Sequence, residues 1–360
     1  MKIMVIQDYL RCGGTEMQSI ALAKGFLLQD WETLLLTFRP SGALASRVQA
    51  QGIPWMSLQP LDMRTNWFAP GLVESLRNFQ PDAVLLMGRE ANCQGEILKK
   101  QFPGVRIIGT VRTGRKIPAR YKRSLESCDL VICNSQWAAE RLESLGDGVP
   151  RKIHVIHNGL VHDFKFDRKQ QLQKQTRKQF GTRADTIVFL LCSAFRKGKN
   201  HAQLLQILEE LKGDWELWLA GSGKEKKTFF QKLQNTEFKD RVKDAGQILE
   251  LDGLYAGADV GILPSLEESM SNFLIECQSW GLPVVAYDCA GNTETFIDGE
   301  SGKLVPQGDG EAFGKELAGL IENHLLRERM SAAAISSARP KFNFQDRLDD
   351  YVRLIKSLVG

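Results

Sequence analysis

The sequence predicts an α/β protein built from two doubly wound parallel-sheet domains, and three observations predict it. At 360 residues the chain exceeds one ordinary domain. Short continuous runs of Val, Ile and Leu alternate with helical patterns, as expected of parallel strands covered on both faces. The alternation stops at a polar, basic, Gln-rich stretch over residues 162–181 and then restarts.

In the first series "KIMVIQ" reads as the opening strand and is followed by an amphipathic stretch from Thr15 to Gln29, then "ETLLLTF". "DAVLLMG", "VRIIGTV", "DLVICNS" and "KIHVIHNG" continue it. The second series runs "TIVFLLCSAF", "WELWLAGSG", "VKDAG", "ADVGILPS", "LPVVAYD" and "GKLVP". Domains are expected at 1–163 and 164–342. The last segment, "FQDRLDDYVRLIKSLVG", carries Leu348, Val352, Ile355 and Val359 on one stripe. It is expected to be a helix, 343–360, that packs back on the first domain. No internal repeat or low-complexity tract is visible at the residue level. Two such domains in tandem put ligands in a cleft between the C-terminal ends of their strands.

The composition excludes several function classes. With 43% apolar and 25% charged residues, the chain reads as soluble and globular. No run approaches the roughly 20 apolar residues that span a bilayer, and the start turns polar too early for a signal peptide. Seven cysteines, an odd number with no CxxC pair, point to reduced thiols in the cytoplasm. The five histidines do not cluster with acids or thiols at ligand spacing, so no metal is expected. A net charge of +4 is too small to indicate nucleic acid as a partner. Two basic runs, Arg112 to Arg123 and Lys165 to Arg183, read either as solvated faces or as binding surfaces.

Three constellations carry candidate chemistry. "RCGGTEM" opens a helix directly after the first strand; it reads either as a tight turn with Thr15 as N-cap or as a glycine-lined approach for an anion. It lacks the GxGxxG fingerprint of dinucleotide binding. "SAFRKGKNHAQLL" crowds Arg196, Lys197 and Lys199 into a loop ahead of a helix beginning near Asn200, either a surface loop or a phosphate-attracting edge. "LPSLEESMSNFLIECQSW" places a loop of small residues before a helix from about Asn272 to Trp280. Amides from Ser269 to Phe273, including Met270 and Ser271, could hold diphosphate oxygens at that helix start. Glu276, one turn on, could accept from a ribose diol, and Glu268 could bind hydroxyls of a transferred sugar.

Pro264, Ser265, Glu268, Glu276, Gly281, Gly291, Glu294 and Gly302, in that order, resemble the donor-binding half of the retaining glycosyltransferases of the family-four, group 1 type. "GGTE", "VIHNG", "LAGSG" and "KNH" resemble other motifs of the same family, so the resemblance covers nearly the whole chain. It implies the GT-B fold, two Rossmann-like domains facing across a cleft, and a nucleotide-diphosphate sugar, UDP-linked, as donor. It implies Glu268, Arg196 and Lys199 as catalytic residues. The donor is expected on Gly13, Gly14, Ser269, Met270, Ser271, Asn272, Phe273 and Glu276, with Gly246 at the end of "VKDAG". Arg112 and Glu16 are the acceptor-side candidates. No cofactor and no metal are implied. The acceptor is expected to be a glycan or lipid-linked sugar in polysaccharide or lipopolysaccharide synthesis, reached by peripheral contact with an anionic membrane from the cytoplasmic side. The exposed-looking "RTNWFAP" fits that contact.

The chain also departs from the family pattern. Ser193-Ala194-Phe195 stands where Gly-Arg-Leu is usual, so Arg196 is expected to replace the missing phosphate-binding arginine. Ser269 follows Glu268 where Gly is usual. Arg112 stands where many members carry a histidine. A sugar-nucleotide epimerase and a non-catalytic sugar-nucleotide-binding homologue remain as other readings of the same architecture, and a nicotinamide oxidoreductase is least favoured.

Overall fold

A computed structural model describes residues 1–146, 152–161 and 166–360. It divides into two compact units, Met1–Val161 with Asn343–Gly360, and His162–Phe342. The expected boundary at 163/164, Asp163 and Lys165 lie outside the described residues.

The first unit holds seven parallel strands: β1 (Lys2–Gln7), β2 (Glu32–Thr37), β3 (Trp55–Ser57), β4 (Ala83–Leu86), β5 (Arg106–Val111), β6 (Leu130–Cys133) and β7 (Ile153–Val155). Their order is β3-β2-β1-β4-β5-β6-β7. Successive side chains of a strand point to opposite faces, and both faces here are apolar. Ile3 and Val5 of β1 join a core with Ile20, Ala23 and Phe26 of the helix Gly14–Leu28. Met4 and Ile6 join a second core with Leu72, Leu76 and Leu98. This two-sided burial produces the continuous apolar runs of the sequence.

The terminal helix Phe344–Val359 belongs to the first core, through Leu348, Tyr351, Val352 and Ile355. It packs so closely that a Cβ on Gly25 would lie 2.6 Å from the Leu348 side chain.

The second unit holds six parallel strands: β8 (Ile187–Cys192), β9 (Trp215–Ala220), β10 (Val242–Gly246), β11 (Val260–Leu263), β12 (Val284–Tyr287) and β13 (Gly302–Val305). Their order is β10-β9-β8-β11-β12-β13. In each unit the chain starts at an inner strand, runs to one edge, returns, and runs to the other. Each sheet therefore has one switch point, between β1 and β4 and between β8 and β11. This is where α/β sheets take ligands.

Two local expectations are corrected. The N-cap before Gly14–Leu28 is Gly13, with no side-chain cap, and Thr15 lies inside the helix. Among its described residues the second basic run is mostly exposed, as a solvated face is, but one of its basic side chains is buried. Its Arg177, 7% exposed, pairs with Asp259 at 2.6 Å and donates to the carbonyls of Gly257, Arg183, Ala184 and Thr186. Arg177 thus fastens the helix Lys169–Phe180 to the second sheet.

Candidate active site

The second switch point gathers the loops that follow β8 and β11. The β8 loop is shaped by its neighbour after β9. The amides of Ser193 and Phe195 donate to the carbonyls of Ala220 (3.0 Å) and Ser222 (2.9 Å). Gly221 and Gly223 take φ of +141° and +154°, and a Cβ on them would lie 2.0 and 2.3 Å from the carbonyl oxygens of Ser193 and Phe195. The two glycines of "LAGSG" therefore serve to let one loop lie against another.

Beyond this brace the chain makes a tight 3-10 turn, Lys197–Lys199, and Asn200 takes φ +57° before the helix His201–Glu209 begins. The turn aims Lys199 across to the β11 loop, where Leu266 N–H donates to Gly198 O at 2.9 Å. Lys199 Nζ pairs with Glu268 Oε1, and their side chains are only 13% and 9% exposed. The structure therefore joins two of the expected catalytic residues directly, although 69 positions separate them. Both lie on loops and both are nearly buried. Arg196, half-buried, precedes the same turn.

After Glu268 the chain enters the helix Asn272–Ser279. Ser271 is its N-cap and accepts from the amide of Leu274 (3.4 Å), so the first-turn amides around Asn272 and Phe273 stand outside the intrahelical ladder. At the other end Lys169 Nζ donates to Trp280 O (2.6 Å) and Arg339 Nε to Ser279 O (3.1 Å). Cations there complement the negative end of the helix dipole. Ser269, Met270 and Ser271 are buried at 4–6% exposure, and Phe273 belongs to the unit's core.

Glu276 is 8% exposed and accepts a hydrogen bond from the Tyr255 hydroxyl. Burial, and then the charge of Glu276, pushes the Tyr255 phenol well above its ordinary range, so it remains a donor. Gly246 closes β10, two strands away from β8, with φ +75° and its carbonyl accepting from Gly221 N–H at 2.7 Å. It thus adjoins the loop after β9, which lies between it and the β8 loop.

His201 is 3% exposed, stacked on Phe195 at 4.1 Å between ring centroids, with Nε2 3.1 Å from Ser193 Oγ. Burial, and then Lys199, lowers its pKa to about 4. It is a neutral packing element that fixes the base of the lysine loop. Phe195, third in the Ser-Ala-Phe departure, is 1% exposed and makes that stack.

In the first unit Gly13 and Gly14 open the helix Gly14–Leu28, and Glu16 sits in its first turn at 5% exposure. Burial raises the Glu16 carboxyl, and Arg11 Nε holds it at 3.0 Å. A Cβ on Gly13 would lie 2.4 Å from Glu16 Oε2, so the glycine accommodates this carboxylate. Arg112 directly follows β5 and donates to the Tyr351 hydroxyl (3.1 Å) and to Asn158 Oδ1. It ties the terminal helix to the segment after β7.

Residues 173–337 match the family described as glycosyl transferases group 1, and residues 12–164 match glycosyltransferase family 4. The chain belongs to this family. Among its curated relatives is a lipopolysaccharide core biosynthesis glycosyltransferase, LpsE of Rhizobium meliloti (strain 1021). It is 28% identical over 229 residues, and the match spans 64% of this chain and 64% of LpsE's own length. LpsD of the same organism is 26% identical over 272 residues, 72% of this chain and 76% of LpsD. Among solved structures, Anabaena HepE in complex with UDP-glucose superposes with a TM-score of 0.84 and 21% identity, over 99% of this chain and 100% of that one. That likeness shows the GT-B fold.

The family motifs led to Glu268, Lys199, Ser271 and Glu276, but not to Tyr255, Phe195 or His201 as structural partners of the site. Tyr255 lies on the short helix Asp252–Gly257, and no spacing in the sequence connects it with Glu276. Among the described residues no group of three or more His, Cys, Asp or Glu is placed to hold a metal ion. No helix among them is long and apolar enough to cross a membrane.

Proposed function

We propose that the protein is a retaining glycosyltransferase that moves a sugar from a UDP-linked donor to a hydroxyl of a glycan or lipid-linked acceptor. The observation that carries this reading is the nearly buried Lys199–Glu268 pair beside the capped start of the helix Asn272–Ser279, at the second sheet's switch point. A nucleoside diphosphate would find two kinds of support there. Amides outside the helical ladder receive phosphate oxygens, and Lys199, with three N–H donors, bridges phosphate and Glu268. Glu268 in turn orients hydroxyls of the sugar, and Glu276, positioned by Tyr255, takes the ribose.

As the bond from the anomeric carbon to the diphosphate oxygen breaks, negative charge grows on the leaving group. Lys199, Arg196 and the helix-start amides stabilise it by charge already in place, without a metal ion. The acceptor oxygen bonds to the anomeric carbon from the same face, and its proton passes to the departing phosphate oxygen. Configuration is retained and no separate base is needed. Activity unchanged by EDTA supports the metal-independent step; its abolition, with rescue by a divalent cation, refutes it. LpsE and LpsD act in lipopolysaccharide core synthesis by name, and HepE was solved with UDP-glucose. Both support a UDP-sugar donor and a surface-glycan product.

The same reading places the protein in the cytoplasm, in peripheral contact with the inner face of the membrane. Leu61, Met63 and Trp67 are exposed at 77%, 55% and 61% on one loop. That loop is fixed from beneath by buried Gln59, which donates to Thr65 O and Phe68 O, and by a two-point Arg39–Asp62 pair. A fixed loop offering apolar side chains inserts into a lipid interface at little ordering cost. Co-sedimentation with phosphatidylglycerol vesicles, reduced by Trp67→Ser, tests this; equal recovery with neutral vesicles refutes it. The transfer itself is tested with a panel of UDP-sugars. Turnover that Glu268→Gln abolishes supports the reading, and free epimerised sugar nucleotide without acceptor contradicts it.

A further inference from the structure

The switch point of the first sheet, between β1 and β4, contains a buried carboxylate that no motif singles out. Asp8 follows β1 directly and is 2% exposed. Its Oδ1 accepts from the amide of Ala91 at 2.7 Å and its Oδ2 from the amide of Glu90 at 3.1 Å. Both amides belong to the turn 88–92 that leaves β4. The turn is also held from the β5 side. Asn92, 1% exposed, donates to the carbonyls of Leu86 (3.0 Å) and Gly88 (2.7 Å), and its Oδ1 accepts from the Thr110 amide at 2.8 Å. A Cβ on Gly88 would lie 2.0 Å from Asp8 Oδ1, so only glycine permits the approach. Two buried side chains thus clamp the turn, and its half-buried residues, Arg89 and Glu90, sit where such sheets take ligands.

A neutral side chain could cap this turn without burying a charge. Burial raises Asp8 to about 6 despite the two amide bonds and the nearby Arg11, with Glu90 adding to the rise. Cys93 and Tyr121 also face Asp8, and burial raises both, Cys93 to about 11, so neither gains charge near neutral pH. Arg89 and Arg120 complete the charged surroundings, both within reach of Cys93. When ionised, Asp8 offers both oxygens to the two amides; when protonated, one oxygen becomes a donor and the clamp loses a bond. A costly charge kept at a ligand-binding position is a mark of function.

We propose that Asp8 is a positioning residue that holds Arg89 and Glu90 as contacts for the acceptor sugar. This rests on the glycosyltransferase reading and concerns the opposite substrate from Lys199 and Glu268. The experiment measures UDP-glucose consumption with a panel of methyl hexosides, with water as competing acceptor, alongside UDP affinity. In Asp8→Asn and in Glu90→Gln the ratio of transfer to hydrolysis should fall about tenfold, the loss of one charged hydrogen bond. UDP affinity should stay unchanged. The wild-type ratio should fall as pH drops through about 6, while Asp8→Asn shows no such dependence. An unchanged ratio in both variants, or the same pH profile in Asp8→Asn, overturns the proposal.

If Asp8→Asn does not fold, Glu90→Gln and Arg89→Ala, both half-buried at the outer side of the turn, carry the test. Amide NMR provides a readout that needs no acceptor: the Glu90 and Ala91 signals should titrate together near pH 6. Their failure to do so overturns the proposal whatever the enzyme transfers. A wild type that binds no UDP sinks the transferase reading first, and the amide titration still decides the role of Asp8.

Discussion

Replacing Lys199 with Ala should cost the second unit about 3–5 kcal/mol, because it strands Glu268 as a charge in a nearly closed site. The magnitude follows from the geometry. The two side chains are 13% and 9% exposed and in direct contact, so the pair belongs with buried ion pairs and not with surface pairs, worth about 0–1 kcal/mol. The paired variant Lys199→Met with Glu268→Leu should recover most of the loss, since removing both charges also removes their desolvation cost. Urea unfolding of Lys199→Met, Glu268→Leu and the double variant, followed by far-UV circular dichroism, yields the coupling. UDP affinity should drop about 10- to 150-fold in Lys199→Ala, the range for one charged hydrogen bond. The structure predicts that Lys199→Ala yields a folded but weakened unit. Additive single losses below about 1 kcal/mol would refute the buried-pair reasoning.

Gly221→Ala must move a carbonyl that a Cβ would approach to 2.0 Å, at φ +141°. It should therefore cost several kcal/mol and weaken UDP binding together with stability; unaltered UDP affinity in calorimetry would contradict the loop brace. Tyr255→Phe should leave Glu276 a donor short, costing about 1–3 kcal/mol in thermal or urea unfolding; a neutral result would mean the two do not share a hydrogen bond. Two buried groups predict opposite pH trends in the two units. His201, lowered from 6.5 to about 4, contributes stability that is full above pH 6.5 and is lost as pH falls toward 4. Asp8, raised from 3.8 to about 6, contributes in the other sense, its stabilisation complete below 3.8 and lost as pH rises through 6. Each shift corresponds to roughly 3 kcal/mol, so His201→Phe and Asp8→Asn should flatten opposite slopes in pH-dependent unfolding; parallel slopes would contradict both assignments.

Most strands were legible because each sheet is covered on both faces, which writes them as uninterrupted apolar runs. The short edge strand β3, Trp55–Ser57, is only part-buried, carries no such run and was not read. The shared strand order of the two units was not legible, since it is a repeat of topology and not of residues. The helix start at Ser271 could be read from local chemistry: small polar residues before an apolar run cap a helix. What joins distant positions could not be read this way. Lys199 meets Glu268 only because β8 and β11 are neighbours, and Tyr255 reaches Glu276 only through packing of two helices. Composition also misled. Arg177 sits in a basic run that looks solvated, yet it is a buried hub binding Asp259 and four carbonyls. Thr15 has the side chain of an N-cap, but the cap lies two residues earlier, at Gly13, and the helix begins at Gly14.

A crystal structure of the protein with UDP bound tests the central claim most directly. The account predicts diphosphate oxygens within hydrogen-bond reach of the amides between Ser269 and Phe273 and of Lys199 Nζ, with Glu268 still in contact with that lysine. UDP seated away from this helix start, with the Lys199–Glu268 pair untouched, would contradict it.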